Sequence, residues 1–246
     1  MSGDRVEYHI TSSYVQIVAE GHILPAFWAH PDVGGQFSGI ALIHDRWGLT
    51  PRIRRLAQRL ATVGYYVVAP DLFNRRLPGT VDEANHYATS LGETGLAYVA
   101  AALTAIQTHH RCNGDLATVG FNMGAALALH LALHREEVKA AVLFNPAIAD
   151  DRLLLPTDPT ALLAFYGDGP GGVPADQLAG VHAIFETGAG ARELVIYPGA
   201  GGDFFDEARP EYLPAIAEDA WERTLRFLAV HLTGPSQPPG IRDKAF

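Results

Sequence analysis

The sequence predicts an α/β fold, a mostly parallel central sheet with helices on both faces, and three observations predict it. Short β-branched runs alternate with longer stretches of helical periodicity, the rhythm of parallel strands joined by right-handed crossovers. Gly39 to Ile43 is continuously apolar, as a strand covered on both faces is. No internal repeat and no Pro/Gly/Ser-rich linker divides the 246 residues, so residues 1–233 read as a single domain.

Taken in order, Tyr14 to Val18 and Ile23 to Ala29 are antiparallel starter strands turning at Glu20-Gly21-His22. After the buried strand Gly39 to Ile43, a helix runs from Pro51 to Val63. Thr50 stands at its N-cap, Pro51 at the first helical position, and Gly64 stops it. Tyr66 to Ala69 is a strand closed by Pro70-Asp71, and helices follow over Val81 to Leu91 and Gly95 to Thr108. The second half repeats the rhythm. Strands are expected over Leu116 to Gly120, Val138 to Phe144, Ala161 to Tyr166 and Arg192 to Ile196. Helices are expected over Met123 to Leu133, Ala175 to Thr187 and Pro214 to His231. Residues 234–246 hold three prolines and read as a loosely packed tail.

Composition narrows the partners. With 48% hydrophobic and 18% charged residues, the chain buries a core without staples. The net charge of −9 argues against a nucleic-acid track. A single cysteine, Cys112, excludes an internal disulfide or a multi-Cys zinc site. No apolar run is long enough to span a membrane, and Met1 to Ile10 lacks a hydrophobic signal core. The expectation is a cytoplasmic protein with a small-molecule ligand, no cofactor and no metal.

In such sheets ligands sit beyond the C-terminal ends of the strands. The first strand end reads His44-Asp45-Arg46-Trp47-Gly48, the next Asp71-Leu-Phe-Asn-Arg75-Arg76. The middle one, Gly120-Phe121-Asn122-Met123-Gly124, has the Gly-x-x-x-Gly spacing of a nucleophile elbow, a strained turn that lifts one side chain over a helix N-terminus.

Here the chain resembles the dienelactone hydrolase family of α/β-hydrolases, over roughly residues 14–232. The resemblance rests on Ile43-His-Asp-Arg-Trp-Gly-Leu49, Gly64-Tyr-Tyr-Val-Val-Ala-Pro-Asp-Leu72 and the elbow. It rests also on Tyr166-Gly with Val173-Pro174, on Tyr197-Pro-Gly-Ala200 before Phe204-Phe205, and on Ala217 to Thr224. It implies a Cys or Ser at the elbow, an Asp after a later strand and a His before the last helix. The matching positions hold Asn122, Pro170 and Gly202, and no histidine lies between His182 and His231. A carboxamide hydrogen-bonds but is a poor acyl acceptor, so ordinary ester hydrolysis is not expected.

The amides of Met123 and Arg46 remain as an oxyanion pocket. Asp45 matches the acidic position that governs the family's nucleophile, and His44, Trp47 and Asp203 complete the rim. The reading is a non-hydrolytic enzyme (lyase, isomerase or cyclase) on a small oxygen-rich molecule, with Asp45, His44 or Asp203 moving a proton. The alternatives are a ligand- or partner-binding pseudo-hydrolase and a weak hydrolase using an activated water. Cys112 is expected at the far end of the sheet. His130 and His134 have i, i+4 spacing without the Glu of a zincin. Gly167 to Gly172 satisfies G-x-G-x-x-G but lies late in the chain, and Arg52, Arg54, Arg55 and Arg59 read as the solvated face of a helix. Arg75 and Arg76 are candidates for holding a carboxylate.

Overall fold

A computed structural model describes residues 6–19, 21–147, 159–187 and 189–235. Eight strands form one sheet: β1 (Ile10–Ala19), β2 (His22–Pro31), β3 (Phe37–Ile43), β4 (Tyr66–Pro70), β5 (Cys112–Phe121), β6 (Val138–Phe144), β7 (Ala161–Gly167) and β8 (Arg192–Tyr197). Their order is β1-β2-β4-β3-β5-β6-β7-β8. β1 pairs antiparallel with β2, and β2 antiparallel with β4. From β4 to β8 every pairing is parallel.

The helices are α1 (Pro51–Thr62), α2 (Val81–Leu91), α3 (Thr94–Gln107), α4 (Met123–His134), α5 (Ala175–Thr187) and α6 (Pro214–His231). Period-two alternation sorts the strand side chains between two cores. Leu42, Val119, Val142 and Phe165 pack beneath α1 and α6, on Leu60, Trp221 and Leu228. Ala41, Ile43, Leu143 and Tyr166 face α3, α4 and α5, on Leu103, Leu129 and Phe185. Strands buried on both faces read as continuous apolar runs for this reason.

The expected elements are all present. Several strands run longer than expected: β5 begins at Cys112, because its polar start Asn113-Gly114-Asp115 is carried by pairing Phe37 with Cys112. Thr50 holds the N-cap position of α1, but its side chain makes no capping bond. One expectation is overturned. Arg52 is not on a solvated helix face; it is 7% exposed, one and two turns before Leu56 and Leu60 on the inner side of α1. The Pro-rich tail beyond residue 235 lies outside the described residues. Among the described residues, no helix is long and apolar enough to cross a membrane.

Candidate functional site at the carboxyl ends of the strands

β5 ends at Phe121, and Asn122 turns the chain into α4 with φ 47° and ψ −113°, a conformation most side chains avoid. The turn is possible because Gly120 and Gly124 lack Cβ atoms. One on Gly120 would meet the Gly124 carbonyl, and one on Gly124 the His44 carbonyl. Asn122 donates its amide to Phe144 O at 2.8 Å and accepts at its carbonyl from Ala125 and Ala126. Its side chain does not cap α4, so the Met123 amide opens the helix without an intrahelical acceptor.

The carboxamide is instead held at both ends. Asn122 Nδ2 donates to Asp203 Oδ1 at 2.8 Å, and Asn145 Nδ2 donates to Asn122 Oδ1 at 2.9 Å. The orientation is fixed chemically, since an ionised carboxylate only accepts and must face the NH2 end. Asn145 directly follows β6, with φ 51° and its amide on Phe165 O at 2.7 Å. Sequence reasoning passed over Asn145, although its place immediately after an apolar strand was the signal.

Pro170 and Gly202 lie on two loops laced together beside this chain of amides. Gly169 N donates to Ala200 O at 2.8 Å, and Gly199 N donates to Asp168 Oδ1 at 2.6 Å. A Cβ on Gly201 would stand 2.9 Å from Pro170 O. One on Gly202 would run into Gly171 O and stand 3.0 Å from Asn145 Nδ2. The glycines that imitate a dinucleotide motif are thus explained by backbone packing on backbone. No side chain fits at 202 while the 168–172 loop keeps its place.

Below the rim runs a closed ring of charge. Asp45, 2% exposed, accepts the Trp47 amide at 2.8 Å and pairs with Arg52 Nη2 at 3.3 Å. Arg52 Nε pairs with Asp206 at 3.2 Å, and Asp206 with Arg209 at 3.5 Å. The Arg209 guanidinium lies 3.6 Å over the Trp47 ring, with Arg46 5.7 Å from the same ring. Burial pushes the Asp45 carboxyl above the ordinary carboxylate range, while Arg52 and the Trp47 amide pull it back. Arg52, Asp206 and Arg209 were also missed by sequence reasoning. Only the i, i+4 spacing of Arg52 with Leu56 pointed inward.

His44 is fully buried, and both ring nitrogens are engaged. Nδ1 lies 2.6 Å from Asp45 O, and Nε2 accepts the Leu72 amide at 3.1 Å. Nε2 must therefore be the bare nitrogen and Nδ1 the protonated one. Burial holds its pKa below the ordinary imidazole value, against the pull of the Asp45 carbonyl and the Asp45 and Asp71 carboxylates. His44 braces the turn after β4 and has no nitrogen left for a ligand.

The remaining candidates stand apart. Cys112 is buried at the start of β5, the opposite end from Asn122, with its thiol pushed up by burial. His130 and His134 stack on each other at 4.2 Å, and no group of three metal-binding side chains exists among the described residues. Arg76 turns back to Phe73 O and Tyr87, and the Arg75 amide closes a turn on Asp71.

The chain is similar to known proteins. The model of the dienelactone hydrolase family matches residues 24–232. A Methylorubrum extorquens protein bearing the name "Putative carboxymethylenebutenolidase" is 27% identical over 227 residues, covering 85% of this chain and 77% of its own. An Escherichia coli K12 protein of the same name is 27% identical over 238 residues, covering 89% and 86%. Among solved structures, a dienelactone hydrolase-like promiscuous phosphotriesterase from metagenomic libraries superposes with a TM-score of 0.79 at 18% identity, covering 91% and 99%. The dienelactone hydrolase of Anabaena variabilis does so with 0.66 at 20%, covering 92% and 100%.

Proposed function

The chain belongs to the dienelactone hydrolase family, and from that premise we propose that it binds a small, oxygen-rich organic molecule over the elbow. It acts on that molecule as a lyase, isomerase or cyclase does, by proton transfer and without a covalent acyl intermediate. One observation carries this reading: the carboxamide of Asn122, where the family resemblance implies a Cys or Ser, is clamped between Asn145 and Asp203. An amide so held offers a donor and an acceptor but no reactive lone pair. With Pro170 and Gly202 at the other two positions, nucleophile, base and orienting acid are all absent. In a protease where the whole triad was removed, turnover fell about 10⁶-fold.

The roles then divide as follows. The Met123 and Arg46 amides receive a carbonyl or carboxylate oxygen, Trp47 walls the ligand, and Asn122 hydrogen-bonds it without attacking it. Asp203 moves the proton, because its carboxylate reaches the elbow residue directly. Asp45 is committed to Arg52 and the Trp47 amide and supports the frame instead. The relatives named carboxymethylenebutenolidase, and one from Bradyrhizobium named for a lactone of an oxofuranylidene propanoate, point to unsaturated lactones bearing a carboxylate as the class to test first.

The test uses dienelactone in D2O, followed by NMR. Ligand shifts at Asn122 and Asp203 and deuterium uptake into a ligand C–H are expected. Asp203→Asn abolishes the uptake, and Asn122→Ala weakens binding about tenfold, the equivalent of one hydrogen bond to a charged ligand. Intact mass shows no acyl adduct with dienelactone or an activated ester. An adduct on any side chain would overturn the non-covalent mechanism. Binding without deuterium uptake leaves a ligand-binding protein, and slow ring opening without an adduct an Asp203-activated water.

A further inference from the structure

We infer that the free edge of β1 is an interface between two copies of this chain, joining their sheets through antiparallel β1 strands. Asp71 N donates to Pro25 O at 2.8 Å, so the main chain of Pro25 points toward β4. Direction alternates along a strand, and Gln16, which lies opposite Pro25, therefore turns its N–H and C=O away from β2. Ser12, Tyr14 and Val18 do the same. Among the described residues these outward groups have no main-chain partner. Sheets ordinarily blunt such an edge with charge, proline, a bulge or a short strand. β1 has none of these: its ten residues hold no charge and no proline, and its register against β2 is unbroken. Val18 is 74% exposed and Tyr14 54%.

The surface beside the edge is of the same kind. A groove separates β1 from α3, lined by Ile17, Ala19, Ala97, Ala101 and Thr104, and α3 has no charged residue from Thr94 to Gln107. In a chain that is 18% charged, so bare a strand and helix side by side mark an interface, whose core is depleted of charge. The strand also fits itself. Antiparallel pairing about a two-fold axis at Val15 sets Ser12 against the second copy's Val18 and Tyr14 against its Gln16, and the reverse. Every outward residue then meets an outward residue and exchanges two main-chain bonds with it. The second copy's Thr11 and Ser13 come to lie opposite Ala19 and Ile17. Those two face the α3 side of the sheet, so the small hydroxyl side chains enter the groove, where alanines leave them room. The paired stretch, Thr11 to Ala19, is well short of the ~20–30 residues a side of a standard interface. The dimer is accordingly weak, with a Kd on the order of 10 μM.

The experiment is sedimentation velocity on the full chain from about 1 to about 300 μM, with amide hydrogen exchange at both ends of that range. A shift from monomer to dimer is expected. The amides of Tyr14, Gln16 and Val18 are expected to exchange about tenfold more slowly at the high concentration. Gln16→Pro removes an outward N–H and leaves the β1–β2 bonds intact, and Thr104→Glu puts a charge in the groove. Each weakens association by about tenfold or more. Val230→Lys, at a residue 76% exposed on α6, leaves it unchanged. Should Gln16→Pro not fold, Thr104→Glu and the exchange on the unaltered chain carry the test. A chain still monomeric at the highest concentration, or a dimer that both folded variants leave intact, would overturn the assignment. So would exchange at those three amides that ignores concentration, which means an edge left open or covered within one copy. None of these outcomes depends on Asn122 or Asp203.

Discussion

At the scale of single residues, burial decides which polar groups are tools and which are struts. His44 and Asp45 sit side by side after β3, yet their pKa values move in opposite directions for one reason, the cost of burying charge. His44 stays neutral in the fold, whereas in the unfolded chain it takes up a proton near its ordinary value of 6.5. Its contribution to stability is therefore intact above that value and is lost as the pH falls below it. Asp45 works the other way. The fold holds its proton to a higher pH than the unfolded chain does, so this residue favours folding at acid pH and loses that contribution as the pH rises through its raised value. The expected result is that His44 is Nδ1-protonated when neutral by ¹⁵N NMR and gains its second proton at a lower pH than an ordinary imidazole, because burial disfavours its charged form. His44→Gln should lessen the fall in unfolding midpoint between about pH 7 and pH 5. A His44 that gains its proton near 6.5 would remove the strut reading.

At the scale of elements, the decisive contact is loop against loop. The turns after β7 and β8 approach so closely that a methyl group at 202 meets the Gly171 carbonyl. Gly202→Ala should cost about 1–3 kcal/mol, the usual penalty for overpacking, in urea unfolding. Gly180, in α5 with nothing near the place a Cβ would take, is the control. There Ala should stabilise by up to about 1 kcal/mol. The strands and helices were legible because each apolar run and its breakers, such as Thr50-Pro51 and Gly64, agree with the fold. The elbow was legible for the same reason, since only glycine fits on both sides of Asn122. Asn145, Asp206 and Arg209 were not. Each has a partner distant in sequence, and the one local signal, the place of Asn145 immediately after an apolar strand, does not name that partner. Arg52 was misread because an arginine on a helix is ordinarily solvated, and its two carboxylates come from other elements.

At the scale of the whole molecule, Asp45, Arg52, Asp206, Arg209 and Trp47 join the β3 loop, α1 and the segment before α6 into one frame. Removing the centre should be felt throughout it. Arg52→Met is expected to cost about 3–5 kcal/mol in urea unfolding near neutral pH, because the buried carboxylate of Asp45 loses its counter-charge and that of Asp206 one of its two arginines. The deficit should shrink toward acid pH, where Asp45 can shed its charge by binding a proton. An equal deficit at both pH values would mean that the loss is packing alone. The laced glycine loops carry a further consequence, one of order in time. A designer wanting a thiol and an imidazole here gains nothing from changing Asn122 first, since position 202 has no room for a ring. The 168–172 loop must be shortened or swung away before any histidine can stand there. At this position the choice of side chain waits on the choice of backbone.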